Sequence, residues 1–265
     1  MTFEEIRNIG NESERVNRIY EIFDENSRLN RSRAARVEFL TSVKIIEEYL
    51  HEGDKILDIG AGAGEYSLYF AEKGYEVNAV ELADENINAF KRKINPAHNI
   101  NLIQGNALDL SVYEDESFDI VLLFGPLYHL TLAEDRQRAI EEAKRVCKKS
   151  GKLFFAFITN DMVILTEFNY NPRYFTDGDY DKETFRLDDF PFVFATVDGC
   201  REMLGEAGVN IIRQVAADGI SELLEDKINA LDDAGFEQYL RNHFYICEKS
   251  EFLGMTDHLL IVGEN

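Results

Sequence analysis

Three glycines in one short segment, Gly60, Gly62 and Gly64, have the spacing of a ligand-binding turn. They follow a predicted apolar strand, Lys55–Ile59, and precede a predicted helix, Glu65–Lys73. Glycine lets the backbone approach a ligand closely, and the first turn of a helix offers unpaired N–H groups. The pattern therefore favours a ligand site, although a purely structural strand–helix turn would have the same composition.

Two acids near this turn narrow the choice of ligand. A dinucleotide-binding fingerprint needs its third glycine at the position of Glu65, so that pattern fails here. Asp58 precedes the first glycine by two residues and suits a ligand with a cationic group, such as an amino-acid ammonium. Glu81 ends the next predicted strand, 21 residues after Gly60, the spacing at which a carboxylate accepts both ribose hydroxyls. Read alone, Glu81 could equally be a solvated surface acid.

Alternating strands and helices must position these residues. Predicted strands separated by helices make a mostly parallel sheet that is covered on both faces, an α/β doubly wound fold. The alternation of strands and helices stops at residues 160–195, which predicts an inserted loop or cap rich in aromatic and acidic residues. His258–Val262 is predicted to form the last strand. The predicted strands before the insertion are Lys55–Ile59, Glu76–Val80, Ile100–Gln104, Asp119–Phe124 and Lys152–Ile158.

From about Asp54 to Thr159 the chain resembles a class I S-adenosylmethionine-dependent methyltransferase of the small-molecule type. The segment Asp58–Gly64 matches the first motif of that family, and Glu81 matches its ribose-binding acid. The resemblance implies S-adenosyl-L-methionine as cofactor and S-adenosyl-L-homocysteine as product. It also implies a seven-stranded, Rossmann-like sheet with an antiparallel C-terminal hairpin.

The resemblance also implies a set of cofactor-binding residues. Asn106 stands where many relatives carry an aspartate, so its amide oxygen would recognise the adenine amino group. An N-terminal helical lid over residues 1–50 would close the site above a methyltransferase domain over residues 51–265. The implied cofactor-binding residues are Asp58, Gly60, Ala61, Gly62, Gly64, Glu81, Leu82, Asn106, Ala107, Leu108, Phe124 and Gly125, with Tyr20 and Arg28 from the lid.

The segment Phe124–Leu130 borders both the cofactor and the methyl acceptor in this family. It lacks the polar residue and second proline that adenine amino-methyltransferases carry, and it has no cysteine for attack on a cytosine ring. His129 is the candidate general base, because an imidazole titrates near neutral pH. A pocket-lining or helix-capping role for His129 is the open alternative. Tyr128 is the candidate hydrogen-bond partner of acceptor or cofactor, or else a packed loop tyrosine.

Charge and composition restrict the partners. The 265 residues include 50 acidic and 28 basic side chains, a net charge of −22, which argues against nucleic acids and anionic membrane surfaces. Three scattered cysteines and the lack of a secretory signal or apolar span predict a cytoplasmic protein. The sequence spacing indicates no metal site, and it leaves the oligomeric state open.

The sequence thus predicts methyl transfer from S-adenosylmethionine to a small molecule by in-line displacement. Two alternatives stay open at this point. One is a non-catalytic protein that binds the same cofactor, and the other is a nicotinamide-dependent oxidoreductase, against which Asp58 and Glu65 argue. Interleaved aromatics and acids in the insertion are compatible with a cationic amine as acceptor or with a solvated loop anchored by its rings.

Overall fold

A computed structural model describes residues 3–23 and 25–265 of the chain. Its central feature is one twisted sheet whose strands run in the order β3-β2-β1-β4-β5-β8-β7, with the two-residue strand β6 beside β5. The strands are β1 Lys55–Ile59, β2 Glu76–Glu81, β3 Ile100–Gln104, β4 Phe118–Leu123, β5 Cys147–Thr159, β6 Phe194–Ala195, β7 Asn210–Ala216 and β8 His258–Glu264. The predicted seven-stranded doubly wound sheet is confirmed, with β6 as a short addition.

Helices cover both faces of this sheet, as the alternation of elements predicts. Over the described ranges, none of them has the length and apolar character needed to cross a membrane. The helices are α1 Phe3–Arg7, α2 Glu12–Tyr20, α3 Arg36–Glu47, α4 Glu65–Glu72, α5 Asp84–Lys93, α6 Pro126–His129, α7 Ala133–Val146, α8 Asn160–Tyr170, α9 Tyr174–Asp177, α10 Val197–Glu206, α11 Glu225–Asn229 and α12 Asp233–Ile246.

The two faces of the sheet form two separate apolar layers because neighbouring strand residues point to opposite sides. Leu57 and Ile59 of β1 belong to the layer that α7 and α10 cover. Ile56, from the same strand, belongs to the layer that α3 and α4 cover. Strands buried on both sides read as continuous apolar runs, which is why the sequence pattern located them well.

Helix α3 differs from the expectation of a lid over residues 1–50. Phe39, Val43 and Ile46 pack into the same apolar layer as the sheet residues Ile120 and Phe154. This helix is therefore part of the core, because its apolar side is as deeply buried as the strands it covers. A lid role for the segment before α3, with α1 and α2, stays a prediction.

The last strand reverses direction and so brings a distant part of the chain to the ligand edge of the sheet. Strand β8 is antiparallel to β5, with His258 paired to Ile158. The start of β8 therefore lies at the edge where the parallel strands end. Strand β7 is antiparallel to β8, so the loop that follows β7 comes to the same edge.

Candidate functional site

The glycine turn is fixed to the neighbouring strand by its own backbone. The N–H groups of Gly60 and Ala61 both donate to the carbonyl oxygen of Val80, at 2.8 and 3.1 Å. Gly60 has a φ of +76°, and a Cβ atom there would lie 2.6 Å from Cδ of Pro126. The turn is therefore packed against the loop after β4, and a side chain at Gly60 has no room.

Gly62 faces a different neighbour. Its φ is +55°, and a Cβ atom there would meet Cγ of Glu25 at 3.2 Å, with no backbone atom closer. Glu25 belongs to the segment between α2 and α3, which lies across the turn. The side of Gly62 that would carry a Cβ atom therefore faces the N-terminal segment. Gly64 is the N-cap of α4, and Ala61 packs with Ala79 and Phe90.

Glu81 is held beside this turn by hydrogen bonds from the backbone. Its carboxylate accepts the N–H of Gly62 at 2.8 Å and the N–H of Ala83 at 2.8 Å. It also accepts an amide hydrogen bond from Asn86 at 3.3 Å. Burial raises the pKa of Glu81, although these hydrogen bonds favour the ionised form. Glu81 therefore fixes the turn and lines the cavity beside it.

Asp58 lies beneath the turn and is 1% exposed. One carboxylate oxygen accepts from Oγ of Ser67 at 2.7 Å, while Oδ1 is buried without a hydrogen-bond partner among the described residues. Burial raises the pKa of this carboxyl to about 7. A buried carboxylate oxygen with spare hydrogen-bonding capacity fits the predicted ligand with a cationic group.

A narrow cavity of about 60 Å³ adjoins Glu81 and Gly60, whereas Asp58 does not line it. Eight residues that the sequence predicts for the site line it, and helix α2 closes it with Ser13 and Val16. The remaining volume is small because this helix fills the cleft. The predicted residues along it are Tyr20, Gly60, Glu81, Leu82, Asn106, Ala107, Gly125 and His129.

Asn106 uses its side chain locally. Its amide oxygen accepts the N–H of Leu108 at 2.9 Å, and its amide nitrogen lies 3.4 Å from Oγ of Ser13. The oxygen predicted to recognise an adenine amino group therefore stabilises a turn at the rim of the cavity. Leu108 packs against the core layer of α7, and Phe124 packs edge to face on Tyr66; neither lines the narrow cavity.

His129 is neutral in this environment. Burial lowers its pKa to about 3, and its Nε2 shares a hydrogen bond of 2.8 Å with the hydroxyl of Tyr20. Its Nδ1 is enclosed and has no partner within the described ranges. The rings of Tyr128 and Phe192 lie 5.1 and 5.3 Å from the imidazole. This arrangement favours the pocket-lining role for His129. Its Nε2 is already hydrogen-bonded to Tyr20, and its Nδ1 is enclosed.

A second, much larger cavity of about 1,050 Å³ lies beyond Tyr20, which lines both. The N-terminal segment, Tyr128, the 160–195 insertion and the start of β8 form its walls. Predicted site residues Tyr128 and Arg28 line this cavity. Of the insertion's aromatics, Tyr170 faces it, whereas Phe168, Phe175 and Tyr180 pack on one another.

Arg28 lines the large cavity and forms two ion pairs there. Its guanidinium pairs with Glu25 at 3.0 Å and with Glu38 at 2.6 Å. Glu25 is the residue that covers Gly62. The sequence predicts that Arg28 pairs with a cofactor carboxylate. In the structure Arg28 pairs instead with the side-chain carboxylates of Glu25 and Glu38.

The deep end of the large cavity holds polar residues that the sequence reasoning missed. Nδ1 of His258 lies 2.7 Å from Oδ2 of Asp218 and 3.5 Å from Oε2 of Glu38. Asp257 is buried and accepts from the hydroxyl of Thr166 at 3.1 Å. The only available signal was position, since Asp257 and His258 stand at the start of an apolar strand and Asp218 follows the end of another.

Glu38, Asp218 and His258 have ligand atoms within 4.8 Å of one another, a spacing compatible with a metal ion. Sequence spacing did not reveal this group because its members come from three distant parts of the chain. In the structure they are paired internally: the imidazole with Asp218, and Glu38 with Arg28.

Comparison with known proteins agrees with this geometry. A family model described as a methyltransferase domain matches residues 57–155. YqeM of Bacillus subtilis is 30% identical over 112 residues, which are 42% of this chain and 45% of that protein. The ubiquinone/menaquinone biosynthesis C-methyltransferase UbiE of Haemophilus ducreyi is 32% identical over 110 residues, 39% of this chain and 41% of that protein.

A third relative acts on RNA by its name, the 23S rRNA (uracil(747)-C(5))-methyltransferase of Pyrococcus abyssi. It is 27% identical over 130 residues, 48% of this chain and 28% of that protein. The chain thus spans less than half the length of these curated relatives. The family model covers the chain from within β1 to within β5.

Two solved structures share the fold over nearly the whole chain. The [4+2]-cyclase SpnF has a TM-score of 0.62 at 16% identity, covering 96% of both chains. The PH0226 protein of Pyrococcus horikoshii has a TM-score of 0.60 at 19% identity, covering 93% of this chain and 98% of that one. At these identities the likeness establishes the fold.

The fold, the glycine turn and the family match together define the class. Residues 57–155 match a methyltransferase domain, and this match together with the fold supports a class I S-adenosylmethionine-dependent methyltransferase, whose cofactor is S-adenosylmethionine. The described residues fit that group in part: Glu81 lines the cleft beside the glycine turn, and Oδ1 of Asp58, buried beneath the turn, has no partner among the described residues.

Gly62→Ala tests whether the open side of the turn belongs to the cofactor cleft, with Gly53→Ala as the matched control. Both glycines have positive φ, and a Cβ at Gly53 meets nothing within 4 Å. We expect each variant to lose about 1 kcal/mol of unfolding free energy through backbone strain. Only Gly62→Ala should weaken S-adenosylhomocysteine binding in calorimetry, by about tenfold from overpacking. Equal affinities for the two variants would contradict the assignment.

Asp58 predicts a pH dependence of stability. Because burial raises its pKa to about 7, the folded state holds a proton that the unfolded state has lost. Its stabilising contribution is therefore complete below the unfolded pKa and is lost as the pH rises through about 7. Between pH 5.5 and 8.5, wild type should lose about 2 kcal/mol relative to Asp58→Asn in urea denaturation. Parallel pH profiles would rule out the buried acid as the cause.

Proposed function

We propose that this protein transfers the methyl group of S-adenosylmethionine to a small-molecule acceptor that binds in the large cavity. The single observation that carries the proposal is the adjacency of the two cavities at Tyr20. One holds the glycine turn and Glu81, and the other is wide enough for a metabolite. The segment Phe124–Leu130 separates them, as expected for donor and acceptor sites.

The lining of the large cavity favours a neutral or cationic molecule over a nucleic acid. Its walls combine aromatic rings with eight acidic and four basic side chains, and the whole chain carries a net charge of −22. A polyanion such as RNA needs a positive surface and gains affinity from counterion release. The quinone methyltransferases among the relatives are compatible with this choice, whereas the rRNA methyltransferases make RNA the alternative to test.

Methyl transfer by this arrangement depends mainly on positioning. S-adenosylmethionine supplies an electrophilic methyl carbon on a sulfonium. The chain holds the acceptor in line with that carbon. This positioning accelerates methyl transfer because the reacting atoms no longer have to find one another in solution. Arg28 and Glu25 lie where the N-terminal segment crosses the glycine turn, so this segment shields the site from water when it closes. Glu81 orients the cofactor by accepting its ribose hydroxyls.

Glu81→Gln tests the ribose role. Removing the charge should weaken S-adenosylhomocysteine binding by about 1.5–3 kcal/mol, the range for hydrogen bonds to a charged group. The exposed neighbour Glu85 provides the control variant Glu85→Gln, which should bind as wild type does. The loss should also shrink when the ligand is 2′,3′-dideoxy-S-adenosylhomocysteine. An equal loss with both ligands would assign Glu81 to the turn alone.

Ligand-induced stabilisation separates the proposed class from a nicotinamide enzyme. Thermal unfolding should shift upward with S-adenosylhomocysteine and stay unchanged with NAD⁺, because only a ligand of the folded state stabilises it. The methyl-labelled cofactor should then pass label into small amines, phenols or quinols and not into total RNA. Label in RNA would overturn the small-molecule acceptor, and binding without any labelled product would favour the non-catalytic alternative.

A further inference from the structure

His258 occupies the deep end of the large cavity. It is the first residue of β8, and the reversal of that strand puts it at the ligand edge of the sheet, paired with Ile158. Its side chain is 21% exposed, and it lines the same cavity as Tyr128. An imidazole that faces a substrate-sized cavity is in reach of whatever binds there.

The ring is held in one orientation by Asp218. Nδ1 lies 2.7 Å from Oδ2 of Asp218, and the backbone N–H of His258 donates to Oδ1 of the same residue at 3.1 Å. The hydroxyl of Thr256 also donates to Asp218. Nε2, on the opposite side of the ring, has no hydrogen-bond partner among residues 3–23 and 25–265. A carboxylate that fixes Nδ1 leaves Nε2 available for proton transfer.

His129 has the reverse arrangement. Its Nε2 is bonded to Tyr20, its Nδ1 is enclosed, and it lines the narrow cavity. Burial keeps it uncharged. The two histidines thus divide the site, with His129 on the cofactor side and His258 on the acceptor side.

We infer that His258 is the general base for the methyl acceptor, and that Asp218 is its positioning residue. The inference rests on the proposed function. As the acceptor's lone pair forms a bond to the methyl carbon, the electrons of the carbon–sulfur bond stay on sulfur. The acceptor's O–H or N–H bond breaks, and its proton passes to Nε2 of His258 and then to water.

The charged groups that face His258 set the pH at which it works. Glu38 and Asp218 act on it with negative charge and Arg28 opposes them, while burial raises the pKa of the adjacent Asp257 to about 7. The carboxylates outweigh burial and raise the pKa of His258 to about 9. A base must be unprotonated to accept a proton, so turnover should rise with pH up to about 9 and level off above it.

The test compares His258→Gln and His258→Asn with the control His51→Gln, a histidine whose side chain is 84% exposed. The acceptor is the compound that wild type methylates fastest in a panel of phenols and primary amines. Both His258 variants should lose about 100-fold or more in kcat and lose the rise toward pH 9. Their S-adenosylhomocysteine affinity and the activity of the control should stay within twofold of wild type.

Several results would contradict the assignment of His258 as the general base. A His258 variant that keeps a third of kcat together with the pH rise would do so. Loss of wild-type activity in EDTA with recovery in Mg²⁺ or Mn²⁺ would instead make Glu38, Asp218 and His258 a metal site. A wild type that methylates no compound in the panel would count against the proposed function.

Nuclear magnetic resonance of ¹⁵N-labelled histidine in the wild-type protein tests the hydrogen bond between His258 and Asp218 directly. This measurement does not depend on how well the variants fold. The neutral His258 ring should carry its proton on Nδ1, which faces Asp218, and leave Nε2 unprotonated. A neutral ring with its proton on Nε2 would show that Asp218 does not hold Nδ1, and the inference would fail.

Discussion

The whole site depends on one topological constraint: strands that run in parallel end at the same edge of the sheet. Loops after β1, β2 and β4 meet there, and each contributes something the others lack. The first provides an open backbone at Gly60–Gly64, the second the carboxylate of Glu81, and the third the packed loop that begins at Phe124. The reversed strand β8 adds a fourth contribution from its starting end, because an antiparallel strand begins where its parallel neighbours stop.

A chain of alternating charges runs along the large cavity, from the segment that covers Gly62 to the start of β8. Glu25 covers the glycine turn, Arg28 pairs with Glu25 and Glu38, and His258 lies between Glu38 and Asp218. Each charge in a partly buried row is stabilised by its neighbours, and removal of one leaves the next uncompensated. Removal of one charge from this row therefore changes the electrostatic environment of its neighbours without any movement of the sheet.

The sequence was most informative where local chemistry decides structure. Apolar runs located the strands, and the glycine spacing with Glu81 located the cleft, because backbone conformation and strand ends leave their mark on neighbouring residues. Long-range packing was harder to foresee. Helix α3 has helical spacing whether it covers a site or a core, and only the layer it packs against distinguishes the two. His129 lies in the predicted segment Phe124–Leu130, but Tyr20, which is far away in sequence, forms the hydrogen bond to its Nε2. The Asp218–His258 pair arises from strand reversal, which no short motif records.

The position of α2 has a consequence for how strongly the protein holds its cofactor. Because Val16 and Tyr20 narrow the cleft and Glu25 covers Gly62, only molecules with this segment displaced are competent to bind. The apparent dissociation constant then equals the intrinsic constant divided by the competent fraction. Substitutions in residues 12–23 that never touch the cofactor can thus tighten or weaken its binding, and α2 influences the cofactor concentration at which the protein is half saturated.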